Sequence, residues 1–402
     1  MKLGRNFSLL LVGQSLANIG DVLYIVSIIH VIYLMTGSAI AASFVPFTIA
    51  TSMFVSGILT PLLFDKVNLK WLLAGSQIGK TCLLFVLGLL LLILTATNYY
   101  LLFIVISMIA FLDGCANPIR QTLVPHYVKD EQLLKANGID EAVTQFIQSI
   151  MWFVGSLFLL FLSSQQVVWI VGGLFAVASM VLCLLENIDQ HSMEQQGKIK
   201  QVVKGWKLLW HTPVLRQIVW IDILETIAGT VWIAAIVLVF VNDALHVDKQ
   251  WWGFINGTYF VGLIVGSVYC VKYSASIDKK IARVMFIGSL LTCCATILFS
   301  VNSIPIIALC LPFFVGLFGQ IKNIPQHTVI QTSVPKSELS SIYTALSAIL
   351  TGGFGISSLL MGVIADVFGI RVVFMISGLL LAVVSVIIVK NKQLFSRGIH
   401  SL

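Results

Sequence analysis

The chain has 402 residues, of which 58% are hydrophobic and only 10% charged, and its mean hydropathy is +0.99. A soluble domain carries about 25% charged residues, and no soluble core of this size could hide so much apolar surface, so the bilayer is expected to be the solvent for most of the chain. The net charge of +7 is not gathered as a nucleic-acid surface: with the N-terminus placed in the cytoplasm, 21 of the 24 Lys and Arg fall on the cytoplasmic side, Lys249 and Arg371 fall outside, and Lys80 lies inside a span.

Twelve apolar stretches follow one another, at 8–34, 39–64, 71–96, 100–117, 138–163, 167–185, 217–241, 251–271, 281–300, 304–321, 341–364 and 371–389. Each approaches the ~20 residues that cross hydrocarbon as a helix. None shows the ~10-residue alternation of a membrane barrel, and backbone in lipid must pair internally, so helices are expected. The fold class is therefore an all-α membrane protein of twelve transmembrane helices in two six-helix bundles, with both termini cytoplasmic. The expected division is 1–185, a cytoplasmic linker at 186–216, and 217–402.

In span 1, Lys2 and Arg5 precede an apolar run, as in a signal peptide. The apolar character resumes beyond Asp21 and continues to Leu34, which favours a span. Gln14, Asn18 and Asp21 then share one helical face. Span 2 carries Thr48, Ser52 and Ser56. Span 3 carries Lys80, read as the sole basic residue deep in a span, with Asp21 and Asp113 as candidate partners by depth. In span 5, Glu141, Gln145, Gln148 and Trp152 follow i, i+4, i+7 and i+11. The polar connection from Glu186 to Gln217 carries Ile199, Val202, Val203, Trp206, Leu209 and Trp210 at helical spacing between lysines. It reads either as an amphipathic helix on the cytoplasmic face or as a solvated linker.

In span 7, Asp222, Glu225, Gly229 and Trp232 follow i, i+3, i+7 and i+10. Span 8 holds two GxxxG pairs, Gly253 with Gly257 and Gly262 with Gly266. Span 11 holds Gly352, Gly353, Gly355 and Gly362, besides a Tyr343, Ser347, Thr351 stripe. Small faces let membrane helices approach closely. Pro118 after span 4 and Pro325 after span 10 lie 207 residues apart, about half the chain, and Glu131 and Glu338 repeat that shift, as parallel six-helix repeats would.

A carboxylate at bilayer depth costs roughly 2.5 kcal/mol or more. Stripes that include one on three helices are therefore expected to face an aqueous cavity. Asp21, near mid-span, is the first candidate for proton coupling. Asp222 and Glu225 stand one turn apart and could titrate together. Asp113 and Glu141 are further candidates, or are simply solvated near the cytoplasmic ends. The alternative for Asp21 is a permanent counter-ion to Lys80. Gln14, Asn18, Gln145, Gln148, Trp152 and Trp232 are the candidate substrate-cavity residues. Trp220, Phe146 and Tyr259 could add aromatic wall. The seven cysteines form no CxxC pair and the seven histidines no ligand cluster, so neither a disulfide framework nor a metal centre is expected. With no nucleophile and base pair and no Walker loop, an enzyme and direct ATP drive are not expected, nor is a cofactor.

Twelve helices in two halves with a basic central connection resemble the major facilitator superfamily. After span 2, Pro61-Leu-Leu-Phe-Asp65-Lys66-Val-Asn68-Leu-Lys70 is similar to that family's loop signature, with Pro61 where the pattern has Gly. The resemblance implies a cytoplasmic gate built on Asp65, Lys66 and Lys70. Gly13-Gln14, Gly20-Asp21, Gly37-Ser38, Leu123-Val124-Pro125, Asp130-Glu131-Gln132-Leu133, Ala136-Asn137 and the run from Gly362 to Arg371 resemble the macrolide-efflux branch. The Gly-Pro pair of many antiporters is missing around Gly155-Ser156. The resemblance implies a monomeric secondary transporter in a bacterial cell membrane. Its partners are the lipid bilayer, protons and a small amphipathic drug-like compound, which it exports by alternating access. Export of a native metabolite such as a metallophore, or import of a nutrient, remain the alternatives.

Overall fold

A computed structural model describes residues 4–36, 39–64, 67–95, 98–188, 198–232, 234–248 and 250–397. Apart from short turns, the described residues are helical. Long apolar runs without water to solvate their peptide groups leave the helix as the local solution. The elements are α1 (Arg5–Thr36), α2 (Ala39–Leu59), α3 (Leu69–Leu92), α4 (Tyr100–Tyr127), α5 (Leu133–Phe161), α6 (Ser164–Cys183), α7 (Lys198–His211), α8 (Pro213–Gly229), α9 (Ala234–Asp243), α10 (Gln250–Lys272), α11 (Ser274–Asp278), α12 (Ile281–Val301), α13 (Pro305–Thr332), α14 (Leu339–Phe368), α15 (Ile370–Lys390) and α16 (Lys392–Arg397). Among the described residues ten helices are long and apolar enough to span a membrane, or eleven when α8 and α9 are taken as one bent span. The remaining expected stretch, 138–163, falls within α5, whose first turns carry Lys135, Asp140 and Glu141.

Local signals account for several boundaries. Asn68 caps α3 by accepting from the Lys70 amide at 3.0 Å. Ser163 and Gln166 form a reciprocal capping box at the start of α6. Gly369, at φ +89, makes the sharp turn between α14 and α15 that a side chain would strain.

Three expected boundaries are corrected. Spans 4 and 10 do not end before Pro118 and Asn323-Ile324-Pro325: α4 runs through Pro118 to Tyr127, and α13 through Pro325 to Thr332. Proline is tolerated inside membrane helices because neighbouring helices and Ser/Thr side chains re-satisfy the freed groups. Span 7 is not one helix. It breaks after Gly229 into a 3-10 turn, Thr230–Trp232, and resumes as α9 at 49° to α8. Glycine weakens the helix there, and the Thr230 hydroxyl donates to the Ile227 carbonyl at 2.7 Å, closing the last turn.

The helices gather into two compact units. The first comprises Met1–Lys129, Ile147–Lys207 and Lys336–Thr351, and the second Asp130–Phe146, Leu208–Pro335 and Gly352–Leu402. In the first, α1 packs on α6, α6 on α3, α3 on α4 and α4 on α2. Its core joins Leu23, Ile28, Leu84, Ile106, Val171 and Phe175. In the second, α8 packs on α15, α15 on α12, α12 on α13 and α13 on α10. Its core is aromatic, with Phe240, Phe299 and Phe374 mutually in ring contact. The internal packing order of the second unit therefore repeats that of the first.

Glycine placement is partly as expected. A Cβ on Gly262 or Gly266 would strike the Phe313 or Leu317 carbonyl, so these residues let α10 lie against the α13 backbone. Gly253, Gly257, Gly355 and Gly362 face open space, and Gly353 nearly so, and no tight helix contact is made there.

Candidate functional site

Each unit encloses a lysine paired with acid inside its helices. In the first, Lys80 stands near the middle of α3 and is 1% exposed. Its Nζ donates to Asp21 Oδ2 on α1 and to Asp113 Oδ1 on α4, both at 2.9 Å, and lies 2.8 Å from Asp21 Oδ1. Asp21 Oδ1 receives no well-directed hydrogen bond among the described residues. The ammonium also lies 4.9 Å from the centre of the Phe175 ring. Asp21 and Asp113 keep 17% and 23% of their side-chain surface accessible, whereas the lysine is enclosed. Both expected partners of Lys80 are thus engaged at once.

The remaining stripe on α1 lines up with Asp21. Gln14 is buried and donates to Asn18 Oδ1 at 2.9 Å. Next to Asp21, Gly20 leaves room for Phe175; a Cβ there would overlap the ring. That absence of a side chain is what lets α6 press its aromatic face toward the lysine.

In the second unit the lysine is Lys322, on the stretch of α13 that follows the expected end of span 10. It is 1% exposed, pairs with Glu225 on α8 and donates to Asn323 Oδ1 at 3.2 Å. Lys80 is therefore not the only basic residue deep in a helix. The mistaken reading came from ending span 10 before Pro325, which placed Lys322 in a loop. One turn along each helix, Gln326 Nε2 donates to Asp222 Oδ1 at 2.6 Å. Asp222 and Glu225, three residues apart on α8, thus meet Gln326 and Lys322, four apart on α13.

Glu141 and Gln145, the expected pair on α5, are joined: Gln145 Nε2 donates to Glu141 Oε1 at 2.9 Å, and Gln320 Nε2 on α13 donates to the same oxygen at 3.1 Å. A turn before, Asn137 donates to Gln331 Oε1 at 2.7 Å and to Thr328 Oγ1 at 3.1 Å, and Gln331 Nε2 returns a bond to Asn137 Oδ1 at 3.2 Å. Trp232, beyond the break in span 7, no longer continues the Asp222–Glu225 face. It stacks on Tyr259, with centroids 5.8 Å apart, and leans on Phe299 and Phe374. Gln148 is exposed. The side chain of Trp152 lies outside the described residues, as do Asp65 and Lys66. Lys70 is buried in the first turn of α3 with its ammonium 4.5 Å over the Trp71 ring.

Lys322, Gln326 and Gln331 were missed because they lie past the expected end of span 10, where polar residues around Asn323-Ile324-Pro325 look like loop, and Gln320, the last polar residue inside that span, was not singled out. One signal could have found them: Gln320 follows Asp113 by the same 207 residues that separate the two prolines.

The sequence matches the Major Facilitator Superfamily over residues 7–241 and 223–393. The chain belongs to the major facilitator superfamily. Two Bacillus subtilis MFS-type transporters resemble it along nearly their whole length: YfmI is 30% identical over 387 residues, covering 95% of each chain, and YjbB is 29% identical over 375 residues, covering 92% of this chain and 91% of its own. Solved superfamily folds superpose on it. The human organic anion transporter MFSD10 gives a TM-score of 0.78 at 8% identity, covering 96% of this chain and 99% of its own. A variant of the Escherichia coli fucose:proton symporter FucP gives 0.78 at 14%, covering 96% and 98%. A bacterial homologue of the iron transporter ferroportin gives 0.76 at 14%, covering 97% and 100%. This facilitator is accordingly a multi-pass membrane protein and a secondary transporter of a small molecule, not an enzyme.

Proposed function

We propose that this transporter exports a small amphipathic compound across a bacterial plasma membrane in exchange for protons, by alternating access. The observation that carries the proposal is the bracketing of Lys80 by two carboxylates. An unpaired ammonium in a low dielectric is costly, and breaking a buried pair costs about 3–5 kcal/mol. With two acids and one lysine, the cluster can bind a proton on one carboxylate while Lys80 keeps the other as its counter-ion. The protonated cluster is neutral, and the deprotonated one carries a single net negative charge spread over two acids that share the ammonium, so a proton can be held or released without ever leaving Lys80 unpaired. Asp21, near mid-span by sequence, is the proton acceptor in this reading. Asp113 is the standing counter-ion.

Asp222, Glu225 and Glu141 assist, and Gln14, Asn18, Gln145, Gln148, Trp152 and Trp232 line the substrate path. The Trp232–Tyr259 stack supplies a flat apolar surface suited to an amphipathic guest. It stands at the break in span 7, and interrupted helices are a recurrent place for transporter sites. The resemblance of several motifs to the macrolide-efflux branch supports outward direction. Asp65, Lys66 and Lys70 form the cytoplasmic gate.

The test is reconstitution in vesicles with an imposed pH step and a panel of amphipathic compounds. Wild type should move substrate against the proton flux, and Asp21→Asn should lose this activity by at least about tenfold while remaining folded, as removal of a proton-coupling carboxylate predicts. Unchanged pH-driven transport by Asp21→Asn removes Asp21 from the mechanism. Substrate moving with the protons reverses the assignment to import.

A further inference from the structure

At the end of the second unit where α12 begins and α15 finishes, a cleft of about 740 Å³ opens between these helices and the short α16. It is lined by Lys279, Lys280, Arg283 and Lys392, with Phe286 and Val389 on its apolar side. No acidic residue lines it, and among the described residues none of the four cations is ion-paired. α16 is held in place by Phe395, which is fully buried and fixes the side of the cleft that Lys392 occupies. Four positive charges gathered in one recess repel one another, and that repulsion is relieved only by an anion.

The geometry points to a binding site for an anionic phospholipid of the cytoplasmic leaflet, its phosphate among the four cations and its acyl chains along the outer faces of α12 and α15. Three observations favour a lipid over a soluble anion. The cleft lies at the helix ends that the distribution of Lys and Arg assigns to the cytoplasmic side, where anionic lipid draws basic residues. Its cations sit at the level where α12 and α15 emerge, with Arg283 able to engage two phosphate oxygens at once. Above the charged floor the wall continues as hydrocarbon-facing surface: Leu290 stands one turn beyond Phe286 and Val386 one turn before Val389, and both are exposed. A soluble phosphate would use the floor and leave this wall idle. The site is separate from the carboxylate–lysine clusters and does not depend on the transport reading.

The test uses the full chain in detergent. Retention of dioleoyl phosphatidylglycerol, of phosphatidylcholine and of inorganic phosphate is read by native mass spectrometry and by the shift each gives in thermal midpoint. Phosphatidylglycerol should be retained and should raise the midpoint, less so as salt increases, whereas phosphatidylcholine and phosphate should not. Neutralising one cation, as in Lys279→Gln, Lys280→Gln, Arg283→Gln or Lys392→Gln, should weaken retention by about fivefold each. The quadruple variant should abolish the preference, while Lys198→Gln with Lys200→Gln, in α7, should leave it intact. If the quadruple variant does not fold, the single variants decide. Equal effects of phosphate and phosphatidylglycerol would make this a soluble-anion site. Equal retention of both lipids, or single variants that bind as wild type, would overturn the site altogether.

Discussion

Lys80 and Lys322 solve one problem in different ways. Lys80 is shared by acids from two other helices, so α1, α3 and α4 meet at one ammonium. Lys322 has one carboxylate, from α8, and the second acid of that helix is satisfied by an uncharged amide. Both groups carry one acid more than lysine, but only in the first do both acids compete for the same cation. Under the 207-residue repeat the position of Asp113 is taken by Gln320, and the lysine has moved from the third helix of its set to the fourth. The internal packing is thus duplicated while the charges are not. On the proposed mechanism, that asymmetry would centre proton exchange on the first cluster, with the second assisting.

Lys80→Met should break the comparison most severely. It leaves two neighbouring carboxylates without a cation, and a loss of about 3–5 kcal/mol is expected for orphaning such a charge. The fall should appear as a lower thermal midpoint in detergent and loss of transport, and adding Asp21→Asn and Asp113→Asn should restore most of the stability but none of the proton coupling. A triple variant as unstable as the single would mean that the lysine acts through packing alone. Lys322→Met orphans a single acid that is 22% exposed, so a smaller loss of about 3 kcal/mol is expected. Here Glu225→Gln should suffice as the compensating change, and pH-driven transport by that pair should survive. The smallest effect is expected from Gln326→Leu, which removes one hydrogen bond from Asp222 and should cost about 1–3 kcal/mol. If it stopped pH-driven transport as fully as Asp21→Asn, the assignment of proton exchange to the first cluster alone would be wrong.

Much of this arrangement is legible in the residues themselves. Apolar length marks the spans, and the spacing of Gln14, Asn18 and Asp21 places them on one face. Depth alone pairs Lys80 with Asp21 or Asp113, although it could not say that both are used, because that depends on how three helices are rotated about their axes. The polar residues of α13 stayed hidden for a different reason. Proline is strong punctuation in water, where a broken helix is rescued by solvent, and weak punctuation in lipid, where it is not. The break in span 7 leaves little trace in hydropathy, since Thr230, Val231 and Trp232 are compatible with a continuing helix; Gly229 weakens the helix there and the packing of Trp232 against Phe299 and Phe374 goes with the turn.

The convergence of three helices on Lys80 has a mechanical consequence. Were a proton to arrive at Asp21, as proposed, it would weaken the tether between α1 and α3 without loosening α4, so the bundle would not soften evenly. One helix would gain freedom while its neighbours kept their register, and a change in acidity would thereby become a directional change in stiffness.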